Sequence, residues 1–227
     1  GDQITLEYFS PSPFLPFPDI HISEIAYNFR DAGIFPEDAT SSDWCEVNIN
    51  CSPEGDNWQR QKKGVTKIYV KEGAAYFWCS GSLVNNTRED RAPYLLTADH
   101  CGDNASAADY QQWVFYFNYE LPGCENQGTI PSQTMAGATL LANAGTSGSD
   151  FKLLLLNQDV PEVYNPYFNG WNNENVGSST GVSIHHPSGD VRKISTYTEP
   201  LNSSSWASGE ETHWQVYWAP TVNGNGV

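Results

Sequence analysis

Apolar and polar residues alternate in short runs along most of this chain, and turn-forming residues separate the runs. Residues 4–9 alternate weakly, and Ile20-His21-Ile22-Ser23-Glu24-Ile25 alternates again. Between them Pro11, Pro13, Pro16 and Pro18 forbid a helix, because proline fixes φ and donates no amide hydrogen. Residues 31–44 are small and acidic without periodicity and read as a linker. The composition shifts at Trp44-Cys45. Alternating or short apolar runs then recur at 66–70, 76–84, 94–98, 113–119, 151–156, 181–186, 192–195 and 214–218, and each predicts a strand. Only 105–112 predicts a short helix. Many strands at close spacing predict an all-β sandwich or barrel.

Composition narrows the class. A chain of 227 residues can bury a substantial core as one large domain or two small ones. With 39% hydrophobic and 17% charged residues it is neither a disordered polyelectrolyte nor a membrane protein, and no run approaches the ~20 apolar residues of a membrane span. The 19 glycines, 14 prolines and single methionine argue against a helical bundle. Eleven basic residues against 27 acidic ones give a formal charge of -16, which repels phosphates. That excludes nucleic acid and anionic membranes as expected partners and mildly favours basic peptides.

The five cysteines are Cys45, Cys51, Cys79, Cys101 and Cys124, none in a Cys-x-x-Cys pair, so a zinc ribbon or a thioredoxin-like site is not expected. Scattered cysteines in an acidic, Asn-, Gly- and Trp-rich chain read as disulfides of an exported protein. The odd count leaves one cysteine free, paired between molecules, or paired with something outside this chain.

The candidate chemistry lies at Thr97-Ala98-Asp99-His100-Cys101-Gly102, where an apolar strand ends in a histidine and a cysteine. A lone histidine after a strand is more often structural than catalytic, and three features shift that balance. Cys101 can pin the turn to the preceding strand through Cys79, a closure worth roughly 3 kcal/mol. The strand holding Cys79 runs on through residues 80–84 and would pack beside it. A candidate acid, Asp150, stands at the mouth of the apolar run 151–156. A histidine base needs a carboxylate to hold one ring nitrogen and stabilise the imidazolium. Asp99 should face the other way, as neighbours on an extended segment do, and Asp103 should be solvated. Asp150 remains, with a strand-capping role as its alternative. His185-His186 diverge on a strand and do not predict a metal pair.

Several segments, in this order, resemble the bacterial lysyl endopeptidases, secreted trypsin-like serine proteases of the two-barrel chymotrypsin fold. They are Cys79-Ser80-Gly81-Ser82-Leu83-Val84-Asn85-Asn86-Thr87, Tyr94-Leu95-Leu96-Thr97-Ala98-Asp99-His100-Cys101-Gly102, Ser149-Asp150-Phe151-Lys152-Leu153-Leu154, Ile184-His185-His186-Pro187 and Lys193-Ile194-Ser195. The resemblance covers residues 45–227, and residues 1–44 look like a propeptide-like segment and linker, as in a zymogen.

The resemblance implies that His100 is the general base and Asp150 its orienting acid. It implies Cys79–Cys101 as the histidine-loop disulfide, Cys51–Cys124 as a second bridge, and for Cys45 a partner that this chain does not contain. Trp206 resembles the tryptophan beside the catalytic histidine, in a substrate-binding position. No cofactor and no metal are implied. The implied protein is a secreted or cell-surface bacterial endopeptidase that cuts peptide or protein substrates, after Lys. The family's Gly-x-Ser-Gly segment is not found and is expected beyond Val227, together with the oxyanion amides, the acidic specificity residue and the last strands of the second barrel. The C-terminal remainder of the protein is then an expected partner, and this chain alone is expected to be inactive. A rival expectation is a non-catalytic protease-fold module of an exported complex.

Overall fold

The computed structural model describes residues 42–131, 133–206, 211–222 and 224–225. Residues 1–41, and with them most of the propeptide-like segment and linker, lie outside the described residues. Strand β1 (Val47–Asn48) comes first, and β2 (Val65–Glu72) and β3 (Ala75–Leu83) follow as an antiparallel hairpin. Gly73 turns that hairpin at φ +56°, a conformation that costs glycine little and an L side chain more. Then come β4 (Tyr94–Ala98), the single α-helix among the described residues, α1 (Ala107–Tyr110), β5 (Val114–Phe117), β6 (Gln133–Ala136), β7 (Ala138–Ala144) and β8 (Phe151–Leu156). Helix α1 is shorter than the run that predicts it. Ser106 and Asp109 cap its start reciprocally. At its other end the buried Trp113 donates its indole N–H to the Lys71 carbonyl at 2.9 Å, which returns the chain to the sheet.

Strands β6, β5, β2, β3, β4, β8 and β7 form one antiparallel sheet in that order. Its two edge strands, β6 and β7, are separated in sequence by Gly137 alone, so the sheet must curl until its edges meet. It is a closed barrel, with β6 and β7 as one bent strand. Gly137 makes the corner at φ +83°: its N–H donates to Trp113 at 2.9 Å and its carbonyl accepts from Asn157 at 3.1 Å. A Cβ there would fall 2.3 Å from the Asn157 side chain. The sequence does not predict strands over residues 133–144, where four alanines, a glycine and an asparagine, all disfavoured in strands, interrupt any alternation. They become strands because β5 and β8 otherwise present unpaired edges. Inside the barrel Ile68, Leu83, Leu95, Phe115 and Leu154 are fully buried. Each such side chain contributes about 1.5–3 kcal/mol.

Past the barrel, β9 (Gly181–His185) and β10 (Lys193–Tyr197) join β1 in a three-stranded sheet, β1-β10-β9. Two small hairpins follow, β11 (Asn202–Ser204) with β12 (His213–Gln215), and β13 (Pro220–Thr221) with β14 (Gly224–Asn225). The run expected at 214–218 is thus a strand only over its first residues. Among the described residues these pieces do not close. The chain is all-β, in the two-barrel arrangement that the resemblance implies, with the second barrel left open.

Polar contacts tie the two parts. Arg192 is fully buried, donates to Val65 O at 2.7 Å from its guanidinium and pairs with Glu120. Glu120 also meets Lys62 at 2.6 Å. The Cys51–Cys124 disulfide joins the segment after β1 to the loop after β5.

Candidate active site

Strands β4 and β8 pair in a register that sets Ala98 opposite Phe151. One step beyond that pair, at the barrel rim, the Asp99 N–H donates to Asp150 O at 3.1 Å. The chain turns sharply after β4: the Cys101 N–H reaches Ala98 O at 3.3 Å and the Gly102 N–H reaches His100 O at 2.9 Å. Gly102 ends the turn at φ +79°, and a Cβ there would meet Trp113 at 2.8 Å. The Cys79–Cys101 disulfide fastens this turn to β3.

Asp150 sits at φ +48°, sparsely populated for a residue with a side chain but tolerated by aspartate. One carboxylate oxygen, Oδ1, accepts the His100 backbone N–H at 2.9 Å, and the other, Oδ2, lies 2.6 Å from His100 Nδ1. That contact assigns the proton of a neutral ring to Nδ1, which donates to Oδ2 and leaves Nε2 free to accept a proton. The acid is mostly sheltered and the ring open: their side chains are 17% and 62% exposed. Partial burial pulls the Asp150 carboxyl upward. The backbone N–H of His100, the His100 ring and the Asp99 backbone outweigh it and hold the carboxyl below its usual range. A sheltered carboxylate gripping one nitrogen of an exposed imidazole can orient a general base and stabilise its protonated form.

Asp99 faces away from the ring: its carboxylate accepts Asn143 Nδ2 at 2.8 Å and lies 3.7 Å from the Lys152 ammonium. Asp103 is exposed on the loop. Cys45 is a free thiol in this structure, and its carbonyl accepts the Thr221 hydroxyl at 3.4 Å. Trp206 stands just past β11, 79% exposed, and among the described residues no hydrogen bond or ring contact joins it to the His100–Asp150 pair. Ser80 and Ser82 lie within β3: the Ser80 hydroxyl accepts the His186 N–H at 2.8 Å and that of Ser82 meets Asn169. Among the described residues no serine hydroxyl hydrogen-bonds to the His100 ring, and no cluster of His, Cys, Asp or Glu could hold a metal. His186 is buried with Nδ1 on Asp190 O, and burial pushes its ring well below the usual histidine range. Its neighbour His185 approaches Ser183 instead. Lys152, whose ammonium lies under the His100 turn, carries no sequence signal beyond being the one charge in an apolar run.

A groove of about 540 Å³ lies off this site, on the outer faces of β4 and β8, between Leu96, Leu153 and Trp171.

Residues 39–226 match the family described as "Lysyl endopeptidase, C-terminal domain". The chain is 26% identical over 207 residues to the lysyl endopeptidase of Pseudomonas aeruginosa, covering 86% of this chain and 44% of that protein. It therefore spans less than half the length of the curated relative it matches. Among solved structures, the protease Anisep from Arthrobacter nicotinovorans is 18% identical with a TM-score of 0.49, covering 73% of this chain and 82% of that one. The thermostable serine protease AL20 from an extremophilic microorganism is 14% identical with a TM-score of 0.46 over the same shares.

Proposed function

The chain belongs to the lysyl endopeptidase family, a family of trypsin-like serine proteases, and from that premise we propose that it is part of a secreted endopeptidase that cuts after Lys, with His100 as general base and Asp150 as its orienting acid. The observation that carries this reading is the 2.6 Å contact between His100 Nδ1 and Asp150 Oδ2. The nucleophilic serine lies beyond Val227. Its Oγ attacks the peptide carbonyl carbon while its proton passes to His100 Nε2, and Asp150 stabilises the imidazolium. The amine leaves with the proton from Nε2, and an acyl ester remains on the serine. Water, deprotonated by the same Nε2, then hydrolyses that ester and returns the serine its proton. No cofactor takes part. Trp206 lines the substrate site, and residues 1–44 are removed in maturation. The two disulfides and the absence, among the described residues, of a helix long and apolar enough to cross a membrane fit an extracellular setting.

The test uses the full-length gene product. A phosphonofluoridate-type serine reagent should inactivate it, and His100→Ala should lower kcat on lysyl peptides by roughly 10⁶-fold. Peptidase activity that survives His100→Ala would end the proposal.

A further inference from the structure

Lys152 occupies a core position. The pleat of β8 turns Lys152, Leu154 and Leu156 inward, and Lys152 is 1% exposed. Its ammonium donates to three backbone carbonyls, those of Asp99 at 3.1 Å, Cys101 at 3.0 Å and Gly102 at 2.6 Å. These belong to the turn that carries His100, where no neighbouring strand accepts them into its ladder. The Asp99 carboxylate supplies the counter-charge at 3.7 Å and is itself held by Asn143. The rings of Tyr110 and Trp113 stand 5.4 and 5.5 Å from the ammonium and complete a dry pocket.

The turn is therefore gripped from two sides by β8 and the residue just before it. Asp150 takes the amides of Asp99 and His100, and Lys152, two residues along β8 on the same edge of the barrel, takes the carbonyls. A rigid stretch of chain that carries both groups fixes the ring relative to the acid. A buried ammonium needs acceptors in any case, and here all three that it finds belong to the turn that carries His100.

We propose that Lys152 is a positioning residue for peptide hydrolysis: through the turn 99–102 it sets the His100 ring against Asp150. The proposal rests on the protease reading above. Its test is made in the full-length protein with Lys152→Met, which keeps the length of the side chain and removes the donors. The double variant Lys152→Met with Asp99→Asn removes both buried charges, which protein cores tolerate better than a lone one.

Two quantities are read: kcat and KM on a lysyl peptide, and the tautomer of His100 by nitrogen NMR of isotope-labelled histidine, with His100→Ala assigning the signal. The native ring should be the Nδ1–H tautomer. In either folded variant kcat should fall by about 100-fold, the size of effect that a small misplacement causes, with KM nearly unchanged. The ring should relax toward the Nε2–H form that dominates free imidazole side chains. A folded variant with native kcat and tautomer overturns the proposal, and so does a loss of kcat with the tautomer unchanged. If the native protein hydrolyses nothing yet the tautomer still responds to Lys152, the protease reading fails and control of the ring by Lys152 stands.

Discussion

The closed barrel and the open sheet beside it are held together by different physics. The barrel has a large apolar interior from Ile68 to Leu156, with the buried Lys152–Asp99 pair at its rim, and hydrogen-bond ladders that return on themselves at Gly137. The β1-β10-β9 sheet has a small cluster around Val47, Ile49 and Ile194 and leans on buried charges: Arg192 with Glu120, and Lys193 with Asp190 at 3.4 Å. Both members of the His100–Asp150 pair belong to the barrel. The orientation of the His100 ring is therefore a property of the closed region, whereas whatever approaches it from the second region depends on a polar seam.

The largest break in this contrast should come from the seam. Arg192→Leu leaves Glu120 with Lys62 alone and strips Val65 O of its partner, at a cost of about 3–5 kcal/mol. Hydrogen exchange should then speed up in β9 and β10 while β2, β3, β4 and β8 stay protected; equal loss in both regions would show that they are not separate. Next in size, replacing Cys79 and Cys101 together by Ala should cost about 3 kcal/mol in urea denaturation through loss of a loop 22 residues apart in sequence. It should lower the barrel's stability without accelerating exchange in β10 beyond that in β4.

The last effect is graded with pH and is the smallest per pH unit. Lys67 is 1% exposed, faces the rings of Trp78 and Tyr119, and is pushed down to about 7 by burial, with Asp190 opposing. Between that value and the ordinary lysine range the unfolded chain holds a proton that the folded chain does not. Stability should therefore rise with pH across that window, by up to about 1.4 kcal/mol per unit. Lys67→Met should flatten the slope, and denaturation curves at stepped pH check it.

The legible parts of the fold were those in which a run of residues states its own surroundings. The alternation at 66–70, 76–84 and 94–98 and the apolar run 151–156 correspond to β2, β3, β4 and β8, the strands that carry the site. Strands β6 and β7 were not legible, since Ala136, Gly137, Ala138, Ala142 and Asn143 are residue types that strands disfavour and pair only because two edges await them. For the site, His100 and Asp150 stood out because each interrupts an apolar strand end. Lys152 did not: in sequence it is one polar residue among leucines, and its role exists only where three carbonyls fifty positions away converge on it.

The sequence by itself determined the strand-rich class and the residues able to share a proton, because pleat period, turn residues and side-chain chemistry are local properties. Only the tertiary structure decided that the sheet closes at Gly137, how both carboxylate oxygens of Asp150 grip His100, and that a buried ammonium supports the turn beneath it. Those outcomes depend on the register between strands far apart in the chain, and register is fixed by the packing of the whole barrel.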